Sequence, residues 1–510
     1  MRKGRESGQP RTDLAWAGAT QMVCHQTLME PAKARPTMGF MQPSDEADKT
    51  HRHPHEWHQL TADAKFHQMT EAPVRPLILS LAAPSIVSNL ITSVYNLTDT
   101  FFVSELGTSA SGAIGISFVA MTAIQAVGFY FGQGTGNAIA RYLGARDQES
   151  ACVMATTGLA CTLICGLVIA VVGNLLIDPI CLMAGSTPTI LPYARTFVGI
   201  ILLGAPFMCS TLMLNMQLRF EGEAAFAMVA VATGAILNMA LTPTLIYVVG
   251  LGIAGSAIST VICEGISLCL LVHQMQKANI TPLSPKWLRR PTLALLREIN
   301  NGGVPSFVRQ MMLGVATTLL NWAARPYGDA AIAGLAIVQR ICGFGNYVQI
   351  GIGQGFQPII GYNYGAKKYG RIHEGYREAT RMALAAVWAI GVFTCIFAPQ
   401  FIAFFNPDPE VVEVGTLTLR LESFTMALAG NAMITNFVLQ TTGRMWRATF
   451  LGACRLGLVL GPVVVMLSSA FGLLGVQLAQ PVTDIVVGLV TVPLAHQVFG
   501  ELDRGAQESR

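Results

Sequence analysis

Apolar stretches of about 20 residues or more recur along most of this chain, and each is long enough to cross a hydrocarbon core about 30 Å thick. Inside a bilayer the backbone must satisfy its own hydrogen bonds, which permits only helices or a closed barrel. The apolar residues run continuously here instead of alternating, and only 12% of all residues are charged. We therefore predict an all-α polytopic membrane protein.

Twelve transmembrane helices are predicted from these stretches, with approximate limits at 74–103, 112–140, 150–177, 190–218, 224–248, 252–277, 293–324, 330–358, 372–398, 411–440, 446–469 and 472–499. Connections after the even-numbered spans carry most of the cations, among them Arg141, Lys286 and Lys367. Connections after the odd-numbered spans carry almost none, and Arg325 is the exception. Because cations concentrate on the cytoplasmic side, we place both termini in the cytoplasm and the chain in the inner (cell) membrane.

The first 72 residues are polar and lack periodicity, which predicts a disordered cytoplasmic tail. A cluster of histidines lies in this segment: His51, His53, His55, His58 and His67. Such a cluster is typical of either a metal-binding tract or a solvated tail, and we favour the tail. A start of translation at Met69, just before the first apolar stretch, is an alternative that the sequence leaves open.

A shift of about 221 residues brings the chain into register with itself. Under this shift Pro84 falls on Pro305, Gly107 on Gly328, Gly132 and Gly134 on Gly353 and Gly355, Gly144 on Gly365, and Gly222 on Gly443. Gly and Pro mark kinks and close helix contacts, so the two halves share geometry. Six spans is an even number, which makes the repeat parallel. Transporters with repeats bind substrate between them, whereas a structural membrane protein with a silent duplication is the alternative.

The predicted organisation has five parts: a tail over 1–72, an N-terminal six-helix lobe over 73–280, a cytoplasmic linker over 281–292, a C-terminal six-helix lobe over 293–500 and a cytoplasmic tail over 501–510. The sequence contains no phosphate-binding loop of the GxxxxGK[ST] type. We therefore expect an ion gradient, of H⁺ or Na⁺, as the energy source. We expect no cofactor, no metal and no catalytic residue.

Four acidic residues fall inside the predicted spans: Asp99, Glu264, Glu422 and Asp484. Charges at membrane depth are costly and usually line a pathway, and a carboxylate in low dielectric can exchange a proton or hold Na⁺. The repeat relates Glu264 to Asp484. This symmetry favours a structural role for each acid, as a hydrogen-bonding group between helices of its own bundle. Arg309 and Arg340 are predicted to form a polar network with an acid such as Asp484, and binding of an anionic substrate is the alternative.

Several segments resemble the multidrug and toxic compound extrusion (MATE) family. The first-span stretch 96–103, followed by Leu106 and Gly107, resembles the family's first helix, and 141–145 resembles the end of its second. The stretch 353–368 is similar to the MepA-like bacterial branch. The resemblance covers about 74–499. It implies a V-shaped pair of six-helix lobes that exports drug-like, often cationic compounds in exchange for H⁺ or Na⁺ by alternating access.

The resemblance also implies an ion-coupling site in the first half, at Asp99, Asn238 and Thr260, and a helix bend at Pro84. To this site we add Thr242, which could donate an oxygen, and Glu264, which could supply charge. Asp99 stands at the family's coupling carboxylate, and Pro84 at the proline where the first helix bends. Thr242 is a departure, because related members carry an Asp there. The loss of one carboxylate weakens a Na⁺ site, because Na⁺ needs compensating negative charge. Glu264, one turn beyond Thr260, could restore that charge. We therefore lean towards proton coupling.

Two other functions remain open. A flippase for lipid-linked precursors or polysaccharides, from the same superfamily, would need extra spans and a strongly cationic cavity. An integral membrane enzyme would need clustered acids or histidines, whereas His273, His373 and His496 are isolated. We predict a transporter that is not an enzyme. We expect it to act as a monomer in the lipid bilayer on small drug-like molecules, with no nucleic-acid partner.

Overall fold

The computed structural model describes residues 54–289 and 292–508, and almost all of these are helical, with no β-strand among them. The first half comprises α1 (Pro54–Glu71), α2 (Val74–Ser104), α3 (Thr108–Gly144), α4 (Gln148–Leu175), α5 (Ile177–Met183), α6 (Leu191–Leu203), α7 (Ala205–Phe220), α8 (Ala224–Pro243) and α9 (Ile253–Ala278). The second half comprises α10 (Leu293–Ala324), α11 (Asp329–Gly365), α12 (Tyr369–Ile396), α13 (Ala398–Phe405), α14 (Pro409–Thr441), α15 (Met445–Ala453), α16 (Leu460–Phe471) and α17 (Leu473–Glu508).

Membrane-crossing length and apolarity recur along this series. Within the described residues nine spans qualify, one of them built from α15 and α16 with the π-helical turn Cys454–Leu458 between them. A tenth is formed by α6 and α7, which bend by 52° relative to each other. The more polar α10 and α14 have 32 and 33 residues and are long enough to cross as well. The predicted twelve helices in two six-helix bundles are thereby confirmed.

Five connections close the bundles at one end, and because most of the cations of the connections lie in or beside them, we call this end the basic face; the opposite end is the far face. These connections cover 145–147, 221–223, 279–289, 366–368 and 442–444. Because α2 begins and α17 ends at the basic face, this is the end where the sequence predicts both termini.

Two pairs of the repeated glycines, Gly134 with Gly355 and Gly144 with Gly365, lie where the two lobes approach each other closely. A Cβ added to Gly134 of α3 would overlap the backbone oxygen of Ile299 in α10, and one added to Gly355 of α11 would lie 2.5 Å from the backbone nitrogen of Ala82 in α2. Only a residue without a side chain permits such backbone contact. The Gly-Gln-Gly motif of each half is therefore part of the seam between the lobes.

Polar side chains also cross this seam. Gln357 donates to Gln133 at 2.9 Å. Arg219 of α7, only 4% exposed, donates to Gln354 of α11 and, at 3.0 Å, to Ser88 of α2. The guanidinium of Arg219 is thus held between lobes by neutral partners.

An ion pair joins the lobes closer to the basic face. Arg141, in the last turn of α3, pairs with Glu298 of α10 and donates to the backbone oxygen of Thr441 at 2.8 Å. Thr441 also donates to Asn137 at 2.6 Å. The lobes are therefore in contact, and closed, at the basic face.

The helix α1 corrects one prediction, because residues 54–71 are helical and not part of a disordered tail. Met69 is fully buried, and its carbonyl accepts a hydrogen bond from Asn363 of the second half at 3.0 Å. Lys65 pairs with Glu223 of the first half at 2.8 Å. These contacts to both lobes stabilise a helix that has almost no amphipathic pattern of its own. His67 pairs with Glu71 at 3.1 Å, whereas His51 and His53 lie outside the described residues.

A buried acid beneath α1 makes the stability of the protein depend on pH. Glu221 is fully buried; it accepts a hydrogen bond from Thr281, and its second carboxyl oxygen has no partner. Burial raises the pKa of Glu221 from 4.5 to about 8. The folded state therefore holds a proton that the unfolded state releases, so this carboxyl lowers the free energy of unfolding as pH rises from about 4.5 to about 8.

We expect Glu221→Gln to remove that dependence. In thermal unfolding of the purified protein, the melting temperature of the variant minus that of the wild type should increase as pH rises from 5.5 to 8.5. The exposed Glu149→Gln serves as the control and should follow the wild type. Parallel wild-type and Glu221→Gln curves over this range would contradict the prediction.

Candidate functional site

A carboxylate near the far face links α2 and α9, the first and last membrane-spanning helices of the N-terminal lobe. Asp99 lies in the last two turns of α2, and Ser256 lies in the first turn of α9. The Ser256 hydroxyl donates to Asp99 Oδ1 at 2.7 Å. No basic side chain pairs with Asp99 among the described residues, so its charge is met by neutral groups alone.

A network of hydroxyl and amide groups lies beside this carboxylate. Thr242 donates to Asn238 Oδ1 at 3.0 Å and to Ser259 at 3.0 Å. Asn238 in turn donates to Ser259 at 3.2 Å and to Thr260 at 3.4 Å. All four side chains are buried. Because Asn238 and Thr242 are four residues apart on α8, they share one face of that helix and meet α9 together.

The network and the carboxylate meet through two contacts. The hydroxyl of Thr242 lies next to the carboxyl group of Asp99. Tyr95, one turn before Asp99 on α2, lies next to Thr260. The structure therefore brings Asp99, Asn238, Thr242 and Thr260 into one site.

Three members of the site, Tyr95, Ser256 and Ser259, were not predicted from the sequence. Serine is common on small-residue helix faces, and Tyr95 has no distinctive spacing. A signal for Ser256 and Ser259 lies only in their placement one turn apart on the helix that carries Thr260.

Glu264 stands at the edge of this site. It lies one turn past Thr260 on α9, near Tyr95. Its backbone oxygen accepts a hydrogen bond from Thr211 at 3.1 Å. In the described part of the chain no hydrogen bond joins Glu264 to Asp99, Asn238 or Thr242. It is a neighbour of the network and not one of its members.

The acid of the C-terminal lobe has a different environment. Asp484 accepts from Arg455 at 2.9 Å and from Gln480 at 3.3 Å. The predicted pairing of Asp484 with Arg309 or Arg340 is therefore wrong, because the π-helical turn Cys454–Leu458 brings Arg455 to this carboxylate instead. Nε of Arg309 is buried without a partner.

The two lobes thus share their scaffold but not their chemistry. The repeat places Leu320, Leu458 and Gln480 of the second half at the positions of Asp99, Asn238 and Thr260. The C-terminal acid is neutralised by an arginine, whereas the N-terminal acid is not. Among the described residues Asp99 therefore has no basic side chain beside it, whereas Asp484 does.

Comparison with known proteins matches this duplicated architecture. The MatE family model matches residues 84–244 and 305–467, one segment in each half. The chain belongs to the MatE family. Members of this family are transporters and not enzymes, and they cross the membrane many times, which confirms those predictions.

Relatives and solved structures agree with the MatE assignment. Multidrug export protein MepA of Staphylococcus haemolyticus is 25% identical over 442 residues, which cover 86% of this chain and 97% of that protein. A MATE transporter solved in complex with MaL6 superposes with a TM-score of 0.82 at 25% identity over 86% of this chain and 99% of its own. An outward-facing multidrug resistance MATE transporter of the MOP superfamily superposes with a TM-score of 0.81 at 25% identity, over 86% of this chain and 98% of its own.

Proposed function

We propose that this MatE transporter exports small, drug-like and often cationic compounds in exchange for protons. The observation that carries the proposal is Asp99, an intramembrane carboxylate that is held by neutral hydroxyl groups and has no cationic partner in the described part of the chain. Such a group can take up a proton on one side and release it on the other. The export of multiple drugs by relatives of similar length supports the substrate class.

The donor set favours H⁺ over Na⁺. A hard cation needs several oxygen ligands and compensating negative charge. Thr242 replaces the second carboxylate expected in related members, and it already donates to the amide oxygen of Asn238. Asp99 is then the one carboxylate in the network, which is enough to bind a proton but supplies little compensating charge for Na⁺.

We infer further that the basic face is cytoplasmic, because cations concentrate there. The contacts between the lobes then close the transporter towards the cytoplasm. The lobes must separate at that face to admit substrate and join again to release it on the far side, which is alternating access between two parallel repeats.

A flippase for anionic lipid-linked substrates is the second candidate. The observation in its favour is Arg309 in α10, whose Nε atom is buried without a partner. Transport of a cationic dye and failure to move an anionic one would exclude it.

Proteoliposomes with imposed gradients test the proposal. We expect a lipophilic cationic dye such as ethidium to accumulate when a pH gradient is applied, and not when a Na⁺ gradient is applied alone. Thr242→Asp, which supplies the missing carboxylate, should gain a response to Na⁺. Dye uptake driven by Na⁺ and insensitive to the pH gradient in the wild type would overturn proton coupling.

A further inference from the structure

A groove opens on the basic face of the C-terminal lobe. Its volume is about 1020 Å³, and it lies between the start of α10, the connection 442–444 and the end of α17. Side chains that line it include Arg297, Asn301, Arg444, Trp446, Arg447 and Glu501. None of these residues belongs to the site around Asp99.

The internal repeat shows what occupies the matching place in the N-terminal lobe. Gly443 and Arg444 correspond to Gly222 and Glu223. In the N-terminal lobe α1 fills this place: Met69 packs so closely on Gly222 that a Cβ there would overlap it, and Lys65 pairs with Glu223 at 2.8 Å.

The described part of the segment that precedes the C-terminal lobe contacts the other lobe instead. In that segment Arg289 turns to the other lobe, where it pairs with Glu149 of α4 at 2.8 Å. Among the described residues no helix takes the position that α1 takes in the first half. The groove is therefore left open by the described residues.

The charge of the place is reversed between the lobes. In the N-terminal lobe the acid Glu223 pairs with a lysine at this place. In the C-terminal lobe the place holds Arg444 and Arg447, which both pair with Glu501 at 2.8 and 2.7 Å. Nη1 of Arg444 is buried and has no hydrogen-bond partner, and Arg297 has no acidic partner in the described part of the chain. Three guanidinium groups beside one carboxylate leave an excess of positive charge, which favours binding of an anion. Guanidinium groups form paired hydrogen bonds that match the geometry of phosphate.

We propose that this groove binds the head group of an anionic phospholipid. The rim carries apolar side chains at the end of a membrane-spanning lobe: Leu293 is 85% exposed and Trp446 is 76% exposed. Tryptophan favours the level of the lipid head groups, and a leucine beside it suits an acyl chain. A soluble phosphate compound would leave both side chains uncovered. The bound lipid would contact both α10 and α15.

Native mass spectrometry of the full chain tests the lipid site, independently of any transport activity. The probes are dioleoylphosphatidylglycerol and dioleoylphosphatidylcholine at equal concentration. We expect the wild type to retain the phosphatidylglycerol preferentially, and Arg297→Gln with Arg447→Gln to reduce that retention roughly tenfold, since each cation near a surface attracts anionic lipid. Lys286→Gln with Arg289→Gln removes two cations elsewhere on the same face and should retain the lipid as the wild type does.

A charge-conserving pair, Arg297→Lys with Arg447→Lys, separates loss of charge from loss of folding and should keep most of the retention. Equal retention of both lipids, or retention unchanged in the glutamine pair, would overturn the proposal. Displacement of the lipid by glycerol phosphate at the same concentration would assign the groove to a soluble anion instead. Absence of any bound lipid would leave it to another acidic occupant, such as the chain's own segment 45–48, and would also overturn the proposal.

Discussion

Asp99→Asn is expected to abolish efflux driven by an ion gradient, lowering the rate by more than about tenfold, while the protein still inserts and folds. Asparagine keeps the size of the side chain and can still accept the hydrogen bond from Ser256, which the carboxylate accepts at 2.7 Å. It cannot take up and release a proton. Everted membrane vesicles loaded with a fluorescent cationic drug measure the effect directly.

Two comparisons make this result specific. Glu105→Gln alters an acid just after α2 that accepts from Tyr247 at 2.6 Å outside the network, and it should leave efflux close to the wild-type rate. Binding of drug to purified Asp99→Asn should persist, because the substitution removes a titratable group and keeps the size of the side chain. Full gradient-driven efflux by Asp99→Asn would refute the role of this carboxylate.

Gly365→Ala is expected to hold the lobes apart at the basic face and to reduce transport by about tenfold or more. A Cβ at Gly365 would overlap the backbone oxygen of Arg141, and one at Gly144 would overlap that of Tyr362. Overpacking of this kind costs about 1–3 kcal/mol. Because the overlap exists only while the lobes touch, it penalises the closed state relative to the open one by about 5- to 150-fold.

Glu149 and Trp446 are exposed on different lobes. Spin labels at these two positions report the equilibrium through the distance between them, measured by double electron–electron resonance. The labelled Gly365→Ala and Gly144→Ala variants should show longer distances than the wild type. Gly370→Ala is the matched control on the same face, because nothing lies within 4 Å of a Cβ there. An unchanged distance distribution in both seam variants would contradict the prediction.

The twelve spans could be predicted because continuous apolar stretches of membrane length leave a helix as the only solution. The repeat could be found because glycine and proline are kept where backbone must approach backbone. The helix α1 could not be predicted, since its stability comes from tertiary contacts such as Lys65 with Glu223, and these have no local signature.

The site was only partly accessible to sequence reasoning. Asp99 stands out because charge is rare in an apolar span, and family resemblance supplied Asn238, Thr242 and Thr260. The pairing of Asp484 was missed because Arg455 reaches it from a π-helical turn, and a π-turn shifts side chains off the regular helical spacing. The roles of Pro84 as a hinge and of Glu264 as a second acid remain predictions.

The setting of Arg219 has a consequence for how firmly the lobes hold together. Joining the lobes withdraws this guanidinium from water, yet its partners Gln354 and Ser88 are neutral. Removing a charge from water without an opposite charge beside it costs several kcal/mol, and hydrogen bonds to neutral groups offset only part of that. Opening the seam rehydrates Arg219 and recovers the difference. The cost of burying Arg219 therefore opposes closure of the seam, so the closed conformation is held less firmly than its many contacts suggest.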